Sequence, residues 1–197
     1  EALQLNETPK KTSGKHFLKP ISEANTANHK YFNISGPLAE FLGNVEIKPT
    51  HSVAWTLDAE QGAGKTRAFF RAINEFAKNY KVLFVSAEEH PESALFIEKQ
   101  NLYIEKENQQ NVYAIDETNF DKIKELIPHF EAVFFDSWNK IAEKNKGVDF
   151  DNDLRKGFDG KFFACIFQRT VSGTMRGGSK AQFDGDIISK MIKGEDY

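Results

Sequence analysis

The feature that most constrains this chain is an eight-residue segment, Ala59-Glu60-Gln61-Gly62-Ala63-Gly64-Lys65-Thr66. It matches the phosphate-binding loop pattern G-x-x-x-x-G-K-[ST] everywhere except its first position, where Ala59 replaces glycine. A short apolar run at residues 52–57 precedes it, and an amphipathic helical pattern at 65–80 follows it. This order predicts a strand, a tight loop and a helix, an arrangement that directs backbone N–H groups and a helix N-terminus at an anion.

Each residue type required in this loop has a chemical role. Gly62 and Gly64 permit a positive φ and close approach of phosphate oxygens. Lys65 is predicted to reach the β- and γ-phosphates of ATP, and Thr66 to supply a hydroxyl to Mg²⁺. Alanine tolerates a positive φ poorly, so the departure at Ala59 is harmless if that residue has an ordinary backbone conformation. The residues predicted to contact the nucleotide are Glu60, Gln61, Gly62, Ala63, Gly64, Lys65, Thr66 and Arg67.

Short apolar runs alternate with helical patterns along most of the chain. The runs predicted as strands are residues 52–57, 82–85, 112–115, 132–135, 162–167 and 186–192. Helices are predicted between them, including one that starts at Pro91 and continues to Tyr103. The alternation predicts an α/β fold with a mostly parallel central sheet and helices on both faces. Ligands of such sheets bind beyond the carboxyl ends of the strands.

Polar residues follow three of the predicted strands where those strands end. Asp136 suits a carboxylate that holds Mg²⁺ through water, and the alternative is an N-cap for the segment starting at Ser137. Glu88 and Glu89 are candidates for activating the attacking water, and the alternative is an exposed acidic loop. Gln168 is suited to sensing the γ-phosphate, unless it is simply a polar strand terminus. The predicted catalytic residues are Glu88, Glu89, Lys65 and Gln168, and the predicted metal ligands are Thr66 and Asp136.

Composition narrows the class of protein and the extent of the domain. The net charge of -3 gives no general electrostatic case for nucleic acid or an anionic membrane. The single cysteine, Cys165, lies in an apolar run, so a reducing, cytoplasmic setting is expected. No apolar run is long enough to span a membrane.

The polar character of residues 1–28 predicts a tail or linker. Residues 29–197 are expected to form one domain that is truncated at its C-terminus.

Four stretches occur in the order found in the RecA superfamily, and they resemble especially its RadA-type branch. They are residues 62–66, 82–89, 134–137 and 167–170, with a further similar stretch at 34–43. The resemblance covers roughly residues 30 to 193. It implies a RecA-like P-loop ATPase in DNA recombination, repair or replication, assembled as a ring or filament with ATP at subunit interfaces. It also implies that Glu88 activates water, with Glu89 as the second choice.

The resemblance further implies a contact with single-stranded DNA. In RecA-like proteins the loop after the sensor strand faces DNA, and here the segment 169–182 is rich in glycine, basic and free of acidic residues. Arg176 and Lys180, together with Arg169, are therefore expected to contact phosphates. The alternative is a plain solvated loop, and the segment contains no aromatic residue for stacking on bases.

Two other functions share this core. One is a DnaB-like ring helicase. The other is a regulatory module that senses the nucleotide without efficient turnover, as KaiC-like relatives suggest. The chain departs from the RadA pattern in having no cysteine set for an N-terminal zinc finger and no Lys-Asn-Arg-Phe-type segment after its last strands. The second departure implies slow hydrolysis, because a basic group donated in trans would be missing.

Overall fold

The structure is a computed structural model that describes residues 29–60, 62–168 and 184–192. Strands and helices alternate along it. The strands are β1 (Val53–Ala59), β2 (Val82–Ser86), β3 (Val112–Ile115), β4 (Ala132–Asp136), β5 (Phe162–Gln168) and β6 (Ile187–Met191). The helices are α1 (Gly36–Leu42), α2 (Lys65–Ala77), α3 (Ala94–Tyr103), α4 (Phe120–Leu126) and α5 (Trp138–Lys144).

Several predicted features lie outside the described residues. They are the tail at 1–28, Gln61, and the DNA-contacting candidates Arg169, Arg176 and Lys180. Among the residues that the structure does describe, no helix has the length and apolar character needed to cross a membrane.

The six strands form one sheet in the order β3-β2-β4-β5-β1-β6. Every pairing between neighbouring strands is parallel. The predicted parallel sheet is therefore confirmed, and all six strands end at the same edge. Strand β5 lies between β1 and β4.

Both faces of the sheet are covered by helices, as predicted. Successive residues of β4 show this: Phe134 packs edge-on against Phe69 of α2 with ring centroids 5.3 Å apart. Its neighbour Phe135 packs on the other face against Trp138 of α5, at 5.5 Å. Because both faces are buried, the strand reads in the sequence as a continuous apolar run rather than an alternating one.

Two predicted helix boundaries differ from the structure. The helix expected to start at Pro91 begins instead at Ala94, because the Ser93 hydroxyl caps it by accepting the Phe96 N–H at 3.1 Å. The helix expected over 65–80 ends at Ala77. Proline favours a helix start but does not fix it, whereas a capping hydrogen bond does.

Candidate functional site

The loop between β1 and α2 has the backbone conformation that the two glycines were predicted to allow. Gly62 has φ 81° and Gly64, the N-cap of α2, has φ 85°. A Cβ built at either glycine would meet no heavy atom within 4 Å. The need for glycine at these two positions therefore comes from the left-handed backbone and not from lack of space.

Ala59, the departure from the loop pattern, is part of strand β1. Its Cα is paired with Gln168 of β5 and Met191 of β6, and the residue is 2% exposed. Among the described residues only His51 combines a positive φ with a side chain, so Ala59 has an ordinary backbone conformation. The alanine causes no strain here, because the turn begins after it.

Four side chains converge just beyond the end of the sheet. Lys65 Nζ lies 3.3 Å from Glu88 Oε2 and 3.4 Å from Asp136 Oδ1. Thr66 donates its hydroxyl to Asp136 Oδ2 at 3.1 Å. The Lys65 and Asp136 side chains are only 17% and 5% exposed, so these contacts are largely screened from bulk water.

The strand register explains why these side chains meet. Ser86 of β2 is paired with Asp136 of β4, so the segment that follows Ser86 leaves the sheet beside that aspartate. The Ala87 N–H continues the pairing by donating to the Asp136 carbonyl at 2.8 Å. Glu88 is the next residue, and Lys65, the first residue of α2, contacts the carboxylates of both Glu88 and Asp136.

Asp136 is a buried acid rather than a helix cap. Ser137 is the N-cap of α5, and the Asp136 carboxylate contacts Thr66 and Lys65 instead. Burial raises the pKa of the Asp136 carboxyl above its ordinary value, although the charge of Lys65 and the hydrogen bond from Thr66 act in the opposite direction. The neighbouring Glu88 carboxylate adds to the rise. A bound cation would favour the ionised Asp136 carboxylate and so offset the effect of burial.

The raised pKa of Asp136 predicts how stability depends on pH. Well below the ordinary aspartate pKa of about 3.9, the carboxyl is protonated in both the folded and the unfolded chain. Above that pH the unfolded chain loses the proton, whereas the folded chain holds it until the pH passes the raised pKa, so stability falls over this range. In Mg²⁺-free buffer we expect the Tm of the wild type to fall relative to that of Asp136→Asn as the pH rises above about 4. A gap in Tm that stays constant, or that moves in favour of the wild type, would contradict this.

The two candidate glutamates point to different partners. Glu88 faces Lys65, as described above, whereas the Glu89 carboxylate lies 2.7 Å from Lys99 Nζ and accepts the Ser93 hydroxyl at 3.2 Å. Lys99 lies within α3, and Ser93 is the N-cap of that helix. The structure therefore brings Glu88, and not Glu89, into contact with the loop lysine.

Two further candidates, Gln168 and Arg67, also lie near the phosphate-binding loop. Gln168 ends β5, between the ends of β1 and β4. The guanidinium of Arg67 lies over the Tyr103 ring, 5.6 Å from its centroid. Beside it opens a cleft of about 750 Å³, whose lining includes Gly64, Arg67 and the apolar side chains of Leu38, Phe41 and Trp55. This cleft leaves room next to the loop for the parts of a nucleotide other than its phosphates.

The donor set suits a hard divalent cation such as Mg²⁺. The Thr66 hydroxyl and the Asp136 carboxylate, which contact each other, are both oxygen ligands. Within the described ranges no group of three or more His, Cys, Asp or Glu residues is arranged to hold a metal. A Mg²⁺ ion here would take only these protein ligands, with its other positions filled by phosphate and water, which is the way Mg²⁺ binds at phosphate sites.

One contact of this site involves a residue that the sequence patterns did not single out for chemistry. The Ser137 hydroxyl donates to Glu88 Oε1 at 3.1 Å, and Ser137 is 1% exposed. Its position directly after the acidic strand end was the only available signal in the sequence. A serine there reads most simply as a helix cap.

Many solved structures are similar to this chain, and two of them show the extent of the likeness. Flagellar accessory protein FlaH from Methanocaldococcus jannaschii is 15% identical, with a TM-score of 0.59 over 82% of this chain and 80% of FlaH. A KaiC-like protein from Pyrococcus horikoshii is 17% identical, with a TM-score of 0.54 over 80% of this chain and 77% of that protein. No protein-family model and no curated protein sequence matches the chain. At such low identity the likeness shows the fold alone, which is a RecA-like parallel sheet with helices on both faces.

Proposed function

We propose that this chain binds ATP with Mg²⁺ and hydrolyses it. The observation that carries the proposal is the convergence of the loop lysine, a metal-binding hydroxyl and two carboxylates at one edge of the sheet. The glycine conformations at Gly62 and Gly64 leave backbone N–H groups at the start of α2 available to phosphate oxygens. A structural ion-pair network alone would not require that loop.

Each residue then has a role in the reaction. Lys65 leaves the carboxylates and binds the β- and γ-phosphates, while Thr66 and Asp136 hold Mg²⁺. Bound Mg²⁺ supplies positive charge that offsets the charge developing on the phosphates. Glu88 accepts a proton from the attacking water and orients it toward the γ-phosphorus. Gln168 senses whether the γ-phosphate is present.

The direct test measures ATP binding and phosphate release separately. The purified chain should bind ATP and release phosphate in the presence of Mg²⁺, and release should stop when Mg²⁺ is removed by chelation. Absence of ATP binding under both conditions would refute the proposal. Binding without release would leave only the nucleotide-sensing function below.

The finer proposal is that the chain is the RecA- or RadA-like domain of a protein of DNA recombination, repair or replication, working as a homo-oligomeric ring or filament. It is supported by the order of the motif stretches in the sequence. A DnaB-like helicase core is the alternative within this class. ATP-dependent strand unwinding by the full-length protein favours the helicase, whereas strand pairing or branch migration favours the recombinase.

A DNA role predicts a specific salt dependence. If Arg176 and Lys180 each contact a phosphate of single-stranded DNA, replacing one of them by alanine makes the negative slope of log affinity against log salt shallower by about 0.7. The measurement is a fluorescence-anisotropy titration with a single-stranded oligonucleotide at several salt concentrations. Lys30→Ala, which removes a lysine far from that loop in the sequence, serves as the control. Equal slopes in all variants would refute the predicted contacts.

The second candidate is a nucleotide-sensing module without efficient turnover. One observation favours it: Lys65 contacts both Glu88 and Asp136, so ATP must displace two ion pairs before Glu88 can act on water. ATP binding with no phosphate release, with or without DNA, would support this module over the ATPase.

A further inference from the structure

Four of the described α-helices begin after a serine or an asparagine. Two of these residues, Ser93 and Asn119, use their side chains as caps, whereas Ser35 and Ser137 do not. Ser93 accepts the Phe96 N–H at the start of α3. Asn119 accepts the N–H groups of Asp121 and Lys122 at the start of α4. Ser137, at the start of α5, makes no capping hydrogen bond with its side chain. The hydroxyl that would ordinarily stabilise a helix terminus is used elsewhere.

The hydroxyl of Ser137 is directed at Glu88. Its Oγ donates to Glu88 Oε1 at 3.1 Å, and the serine is almost completely buried. The backbone around this contact is held by the sheet, since Asp136 pairs with Ser86 and its carbonyl accepts the Ala87 N–H. The contact thus joins a fixed serine to the side chain of a residue just beyond the end of β2.

The other oxygen of the Glu88 carboxylate faces Lys65 at 3.3 Å. That contact is lost when Lys65 turns to the phosphates of a bound nucleotide. The hydrogen bond from Ser137 does not involve Lys65, so it persists through that exchange. A carboxylate that keeps one fixed hydrogen bond retains its orientation, and orientation is what a water-activating group needs.

We propose that Ser137 is a positioning residue that holds Glu88 in the orientation for activating water. The inference rests on the proposed function, in which Glu88 is the group that acts on water. Ser137 itself touches neither the substrate nor the attacking water in this scheme; it acts through Glu88. In this scheme Ser137 bonds one Glu88 oxygen and the other oxygen accepts the proton from water.

The experiment compares Ser137→Ala with the wild type in steady-state ATP hydrolysis. We expect kcat to fall about tenfold to a hundredfold, the loss typical of a misplaced catalytic group. We expect KM and ATP affinity to stay close to the wild-type values, because Ser137 contacts neither the nucleotide nor Mg²⁺ in this scheme. Tm should fall by about 2–4 °C, because a buried hydrogen bond is lost. Asn119→Ala is the matched control: it removes a working cap, so it lowers Tm by about 2–4 °C without changing kcat.

A double-mutant cycle then separates positioning from a general structural effect. If Ser137 acts through Glu88, adding Ser137→Ala to Glu88→Gln changes the residual rate by less than about twofold. An equal loss of rate in both backgrounds would overturn the inference. So would a full kcat in Ser137→Ala.

The outcomes also distinguish this inference from the proposed function beneath it. A Glu88→Gln variant that loses turnover while Ser137→Ala keeps it overturns only the role of Ser137. A Glu88→Gln variant with full turnover overturns the assignment of Glu88, and the positioning role falls with it. A wild-type chain without any phosphate release overturns both.

Discussion

Replacing Lys65 by alanine is expected to weaken ATP binding by about a hundredfold or more, which corresponds to roughly 3 kcal/mol. The reason is electrostatic: in the proposed function, Lys65 supplies the charge-assisted contact from the loop to the β- and γ-phosphates. The variant also leaves Glu88 and Asp136 facing each other without the cation that now contacts both. Repulsion between these carboxylates and the phosphates adds to the loss of affinity. Isothermal titration calorimetry with ATP and Mg²⁺ measures the effect.

Lys78→Ala is the matched control for this prediction. Lys78 follows the last residue of the same helix, far from the loop, and pairs with Glu75 at 2.8 Å. Its removal takes away one positive charge and a surface ion pair, which contribute little to stability and nothing to the phosphate site. ATP affinity should therefore stay at the wild-type value in Lys78→Ala. Wild-type affinity in Lys65→Ala as well would refute the assignment of the loop as the phosphate site.

Glu88→Gln is expected to keep ATP binding and to lower the rate of hydrolysis by about a hundredfold or more. Glutamine has nearly the shape of glutamate and can keep the hydrogen bond with Ser137, but its amide cannot accept a proton from water. The loss should therefore appear in kcat rather than in affinity. Single-turnover phosphate release, with ATP affinity measured in parallel, tests both halves of this prediction.

The neighbouring glutamate supplies the control. Glu89→Gln changes an equivalent side chain whose partners are Lys99 of α3 and Ser93, the N-cap of that helix. Its effect on the rate should be several-fold smaller than that of Glu88→Gln, because its carboxylate does not contact the loop lysine. If Glu89→Gln alone abolishes hydrolysis while binding is kept, the roles of the two glutamates must be exchanged.

Much of this fold follows from local sequence. The strand before the loop, the helix after it and the apolar runs at β2, β4 and β5 are recognisable because each pattern depends on residues close together in the chain. The positive φ of Gly62 and Gly64 follows in the same way, since a tight turn of this type admits only residues without a Cβ at those positions. The helix boundary at Ser93 did not follow, because a cap is defined by one hydrogen bond and not by a periodic pattern.

The partners of buried polar residues could not be predicted from local sequence. Asn74 lies off the main apolar positions of α2, yet it is buried. Its side-chain oxygen accepts the Glu105 N–H and the Asn108 amide, both at 2.9 Å. These partners are more than thirty residues away in the chain. The helical period predicts where Asn74 points but not what meets it there.

The sequence by itself determined the order of the elements, the loop and the set of polar residues at strand ends. Only the tertiary structure decided that Glu88 rather than Glu89 contacts Lys65, and that the Ser137 hydroxyl donates to Glu88 instead of capping α5. The side chains of adjacent residues at the end of a strand point in different directions. A shift of one residue in the pairing would therefore place a different side chain beside Lys65. That register is fixed by pairing between β2 and β4, which lie about fifty residues apart in the chain and come together only when the sheet forms.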